Sequence, residues 1–132
     1  MDFQRVRDSY ERCAALGDEF FDSFYANLVD QETAVAQMFA ETDMQKQNDL
    51  IEVGIRHLIA FAEGDAASEA RIRELGRTHN RHYINVPPAF YPLWVESLMR
   101  ALREHDPQFT PELEAEWRNA IAPGIALMVS LY

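Results

Sequence analysis

The stretch Leu75-Gly-Arg-Thr-His79-Asn-Arg-His82-Tyr-Ile84 holds the side chain best suited to bind something, a histidine on the apolar face of a short helix. Leu75 and His79 are four positions apart and share that face, which Ile72 extends, while Arg71, Arg73, Glu74 and Arg77 fall mostly elsewhere. An imidazole in an apolar stripe has two readings. It is a partly buried ring whose nitrogens find ordinary partners, the commoner case for a lone histidine, or it is a metal ligand through a neutral nitrogen. Gln47 is a second such residue, the odd polar member of another apolar stripe. Its plain reading is a helix-edge glutamine facing water.

Helix geometry relates the two. From Gln47 to a break at Gly64 the chain climbs seventeen residues, about 25 Å, and the fifteen residues back to His79 cover about 22 Å. The two side chains finish nearly level. Two helices held apart there form a pocket for a flat ligand, with a histidine below and an amide above.

The elements that must position these residues all read as helices. Phe3, Val6, Tyr10 and Cys13 recur at helical spacing, Gly17 stops that helix, and Asp18 caps the next. From Asp18 to about Val29, Phe20, Phe21, Phe24, Tyr25 and Leu28 make a stripe too aromatic for a mere surface cover. A short segment over about 31–39 carries Val35, Met38 and Phe39. Thr42-Asp-Met-Gln45 is a capping-box signature for a helix to about Ala62, with Met44, Gln47, Ile51, Gly54, Ile55, Leu58 and Phe61 inward. The His79 helix starts near Ala67, and a loop leads to Pro87-Pro88 and a helix over about 88–104 with Tyr91, Trp94, Leu98 and Leu102 buried. Thr110-Pro111 opens the last helix, with Leu113, Trp117, Ile121, Ile125 and Met128 inward. Pro123 removes the amide that would bond Asn119, which predicts a kink and two helical pieces of one direction. No period-two strand, repeat or low-complexity segment occurs, so the expected class is all-α.

At 132 residues the chain reads as one domain, 1–132, with 48% hydrophobic residues and eight Phe to fill a core. Twelve basic against twenty-two acidic residues give a net charge of -10, which disfavours nucleic acid and anionic membrane surfaces as partners. The single Cys13 cannot form an internal disulfide and reads as a small buried hydrophobe, in keeping with a reducing cytoplasm. The Met-Asp-Phe-Gln-Arg start has no leader pattern, and no run approaches a membrane span.

These positions together resemble the globin family, specifically bacterial single-domain haemoglobins and the globin portion of flavohaemoglobins, over nearly the whole chain. Leu75-x-x-x-His79-x-x-x-x-Ile84 is similar to the family's proximal segment. Phe39 stands where a phenylalanine stacks on haem, with the Phe24-Tyr25 pair fourteen residues before it. Gln47, thirty-two residues before His79, stands at a distal glutamine, and Ile51 at the distal apolar residue one turn on. Pro88-x-x-Tyr91 and Trp117 also have counterparts.

The resemblance implies a globin fold packed around haem b (iron protoporphyrin IX). His79 would be the axial iron ligand. Tyr25 and Gln47 would donate hydrogen bonds to a bound diatomic gas, whether oxygen, nitric oxide or carbon monoxide. Phe39, Gln47, Ile51, Leu75, Ile84, Tyr91 and Leu98 would contact the haem, and Arg81 and His82 would lie near its propionates. The implied function is reversible gas binding for storage, delivery or sensing. The alternative is a nitric oxide dioxygenase or peroxidase-type enzyme served by a separate reductase. No reductase domain follows, and the last helix has no acidic residue after Trp117, which both favour the binding reading. A homodimer is compatible with it.

Overall fold

The computed structural model describes residues 3–132, so Met1 and Asp2, which open the stretch read above for a leader, lie outside the described residues. Seven α-helices are present among them, with no strand. They are α1 (Gln4–Ala14), α2 (Asp18–Gln31), α3 (Thr33–Met38), α4 (Met44–Ala62), α5 (Ala66–Thr78), α6 (Tyr91–His105) and α7 (Pro111–Ser130), with a 3-10 turn at Pro88–Phe90. None is long and apolar enough to cross a membrane. Two crossings organise the molecule: α2 lies on α6, and α4 lies on α7. α5 packs against both α4 and α7, and so closes one side of the fold.

Three local expectations are corrected. Asp43, not Thr42, caps α4: its carboxylate accepts from the Gln45 and Lys46 amides at 3.1 and 3.3 Å, because a carboxylate reaches two orphan donors of the first turn at once. Gly17, at φ +62°, is the residue that turns the chain into α2, and Asp18 is already helical. α7 runs without a break through Pro123. Asn119 and Pro123 both face solvent, so the lost hydrogen bond falls on the wet side of the helix. Gly124, the next residue, lies so close to α4 that an added Cβ would be 2.3 Å from Leu58 Cδ2.

The largest fully buried side chain is Trp117, edge-on to Tyr10 at 6.0 Å between ring centroids. Its indole donates to Ser9 Oγ at 3.1 Å, and Ser9 donates to Asp106 Oδ2 at 2.6 Å. Arg12 completes the network with two hydrogen bonds to Asp106, at 2.8 and 2.9 Å. This polar cluster pins α1 to the corner between α6 and α7. Burial alone would raise the Asp106 pKa, but the Arg12 guanidinium, the Ser9 hydroxyl and the Gln108 amide outweigh it and hold the carboxyl below its ordinary range.

A depressed folded-state pKa contributes stability that is complete above the unfolded value, about 3.9, and is lost as pH falls through the folded value. Asp106→Asn leaves Arg12 half-partnered and is expected to cost on the order of 3 kcal/mol at neutral pH, shrinking as the pH drops below about 4. Urea unfolding across that range checks it. A pH-independent loss would assign the effect to packing.

Candidate functional site

His79 is the residue that ends α5. Its backbone amide still donates to Leu75 O at 3.0 Å, but its dihedrals (φ -92°, ψ -3°) leave the helix. The chain then folds back on it. Ile84 N donates to Thr78 O at 3.0 Å, Val86 N to His79 O at 2.8 Å, and Asn85 N to Asn80 O at 2.9 Å. Asn85 takes positive φ (+57°), and Asn80 Oδ1 accepts from the His82 amide at 2.9 Å. Asparagine tolerates the first conformation and makes the second bond readily, so Asn80 and Asn85 give the loop expected before Pro87 its closed shape.

The imidazole is oriented by its own helix. Nδ1 lies 2.8 Å from Leu75 O and 3.1 Å from Thr78 Oγ1, and the threonine hydroxyl itself donates to Leu75 O at 3.0 Å. A carbonyl can only accept, so Nδ1 carries the proton and Nε2 keeps its lone pair. Burial lowers the His79 pKa, against a smaller opposite effect of the Leu75 carbonyl, and so favours the neutral ring. The combination is a neutral, fixed nitrogen donor with a second hydrogen bond behind it, as metal-ligating histidines require.

A second set of groups meets where α2 faces α3 and α4. Tyr25 is buried, and burial pushes its pKa up to about 12 while the Gln47 amide beside its hydroxyl acts in the opposite sense. The Phe39 ring meets Tyr25 edge-on at 5.3 Å, and Phe24 meets Tyr25 and Trp94 at 4.9 and 5.4 Å. Tyr25, Gln47 and Phe39 are therefore brought together. Ile51, Tyr91 and Leu98 are buried, and Leu75 and Phe39 are partly buried against the core.

Other expected positions sit differently. Gln47 is half-buried, and the fully buried polar residue of α4 is its neighbour Asn48, whose amide donates to Asp18 and Asp22 at 3.2 and 2.9 Å. Periodicity could not separate two adjacent amides by a hundred-degree rotation. Ile84 is 57% exposed. Arg81 is engaged with the last residue, donating from Nε to Tyr132 O at 2.9 Å and lying 4.7 Å over the Tyr132 ring. His82 is exposed.

Residues 22–126 match the globin family profile, described simply as Globin. The chain belongs to the globin family. This globin also matches, at a TM-score of 0.93 and 35% identity over 98% of its own length and 97% of the other chain, the crystal structure of protein PA3967 from Pseudomonas aeruginosa PAO1. That protein is described as structurally highly homologous to a human hemoglobin. Comparison with curated proteins gives no match.

Globins as a family hold haem, and the residues present here fit that group. The fit rests on the donor, a neutral imidazole with Nδ1 already satisfied and Nε2 unspent.

Proposed function

We propose that this globin forms one domain over residues 1–132, binds haem b through His79, and holds a diatomic gas, oxygen foremost, reversibly in a reducing cytoplasm. The observation that carries the reading is the Nδ1 bond of His79 to the Leu75 carbonyl, which fixes both the tautomer and the direction of the ring. Bound haem supplies an iron centre with a position free for a gas. The remaining roles belong to the chain. Leu75 O and Thr78 hold the imidazole against rotation and keep its far nitrogen unprotonated. Tyr25 and Gln47 offer donors at one place, and the high Tyr25 pKa keeps the phenol protonated, hence a donor, at any physiological pH.

Phe39, Ile51, Leu75, Tyr91 and Leu98 would supply apolar wall that excludes water, and Ile84, Arg81 and His82, all exposed, would meet the haem at its edge. Reconstitution of the purified chain with haem tests the reading. A Soret band that shifts reversibly with oxygen and carbon monoxide is expected, and a chain that takes up no haem would sink it.

Phe39→Ala is expected to speed haem loss by an amount equivalent to roughly 1.5–3 kcal/mol, because the ring is only partly covered by protein and its open side is available to the porphyrin. Transfer of haem to an excess of an acceptor globin measures it. If Phe39 serves the core alone, the substitution lowers the melting temperature of apo and haem-bound protein equally and leaves the transfer rate unchanged.

A further inference from the structure

Asn48, the buried amide of α4, is only half served by hydrogen bonding. It is 3% exposed, and its Nδ2 donates to Asp22 Oδ1 at 2.9 Å and to Asp18 Oδ1 at 3.2 Å. Its Oδ1 is buried with no hydrogen-bond partner, which is costly for an amide oxygen. The two carboxylates it faces are as unusual. Asp18 and Asp22 lie one helical turn apart on the same face of α2. Neither has an Arg, Lys or His partner among the described residues, whereas the buried Asp106 is paired with Arg12. Their side-chain partners are amides: Asn48, and Gln45, whose Nε2 donates to Asp18 Oδ1 at 3.3 Å.

An amide presents oxygen and nitrogen in nearly the same shape. Half a turn of the Asn48 amide puts Oδ1 where Nδ2 now meets both carboxylates, and no bond is given up on the other side, because Oδ1 makes none there. The same turn in Gln45 brings a fourth oxygen to Asp18. Two carboxylates and two amide oxygens then converge from two helices. Asp18, Asp22 and Gln45 are exposed, so water can complete the set.

We propose that Asp18, Asp22, Asn48 and Gln45 form a site for a hard divalent cation, calcium or magnesium, that ties α2 to α4. Oxygen donors with two charges among them are what such ions take, and the set holds neither the thiolate nor the imidazole that softer metals favour. Asn48 is the residue that points to a ligand, since only a cation lets its oxygen and both carboxylates face one another. The net charge of -10 draws cations to this surface, while the positive dipole ends of α2 and α4, both of which start here, oppose one. Affinity is therefore expected to be modest, with a Kd on the order of 0.1–1 mM. The site does not depend on haem, although Asp22 and Asn48 share helices with Tyr25 and Gln47.

The test titrates the full chain, as purified and freed of metal with a chelator, with calcium and with magnesium at constant ionic strength. Saturable heat of binding is expected for at least one of the two, and the arm that saturates names the ion. The melting temperature is expected to rise by about 5 °C at about 10 mM of that ion and to fall back with chelator. Manganese, as a paramagnetic stand-in, is expected to broaden the amide signals of residues 18–22 and 45–48 first. Asp22→Asn is expected to weaken binding about ten-fold, while Glu112→Gln, the same change in charge on an exposed residue of α7, leaves it unchanged. Asn48→Asp is expected to destabilise the metal-free chain and to be rescued by the cation, with tighter binding than the unmodified protein. A purely structural amide would give destabilisation that no cation repairs. That result, the absence of saturation by either ion, broadening spread over the acidic surface, or equal effects of Asp22→Asn and Glu112→Gln would overturn the proposal.

Discussion

His79→Ala is expected to abolish stable haem attachment, leaving at most a weak and spectrally heterogeneous complex. The His79 Nδ1 is tied to the carbonyl one helical turn back, at 2.8 Å, which leaves the other nitrogen for a ligand; His105 makes the same bond to Ala101 O, at 2.9 Å, but on α6 with its ring edge-on to Phe20. His82 lies three positions on, in the exposed loop, with nothing comparable orienting its ring. His82→Ala is therefore expected to keep a normal ferrous spectrum and full haem content. The reverse pattern, haem lost in His82→Ala and kept in His79→Ala, would show the assignment to be wrong.

Acid should act on the same bond with a definite sign. Burial lowers the His79 pKa, so the unfolded chain takes up a proton near the ordinary histidine value, about 6.5, before the folded site does. The stability this group contributes is whole above that value and declines as pH falls toward the folded pKa. Haem affinity is expected to hold near neutrality and to weaken only below about 6.5, where protons begin to compete for Nε2. Haem retention across a pH series, compared with His79→Ala, checks this.

Tyr25 and Gln47 are expected to control how long oxygen stays bound. Bound oxygen carries partial negative charge and carbon monoxide is nearly neutral, so a phenol or amide donor favours the first ligand selectively. A net hydrogen bond of about 0.5–1.5 kcal/mol corresponds to roughly a two- to twelve-fold faster oxygen dissociation on its removal, and more where water is excluded. Tyr25 is buried, so its contribution belongs toward the upper end; half-buried Gln47 belongs lower.

Tyr25→Phe keeps the ring that packs edge-on against Phe24 and Phe39. Gln47→Leu keeps approximate volume. Because the two side chains interact, the double mutant is expected to be non-additive. Stopped-flow oxygen and carbon monoxide dissociation decide it. Unchanged oxygen rates in both single mutants and the double would remove these residues from the site.

Much of this was legible in one dimension because it depends on neighbours along the chain. The helical periods of Val6, Tyr10 and Cys13, of Ile51, Ile55 and Leu58, and of Tyr91, Leu98 and Leu102 are all realised as buried faces. Thr110 caps α7 as expected, accepting from the Leu113 amide at 3.1 Å. The proximity of Tyr25 and Gln47 was reached only through the family resemblance, since no local rule relates α2 to α4.

What the sequence determined by itself is the all-helical class, the turn-by-turn apolar faces and the place of His79 on one of them. These follow from interactions within three or four residues, which periodicity and capping chemistry report directly. Only the tertiary structure decided that Asn48 rather than Gln47 is the buried amide of α4, that α7 continues through Pro123, that Arg81 is engaged by Tyr132, and that Ser9, Arg12 and Asp106 close a network with Trp117. Each of those depends on which face of a helix meets which neighbour and how closely. That is set by packing between segments up to about a hundred residues apart, as between Ser9 and Trp117, and leaves no local mark in the chain.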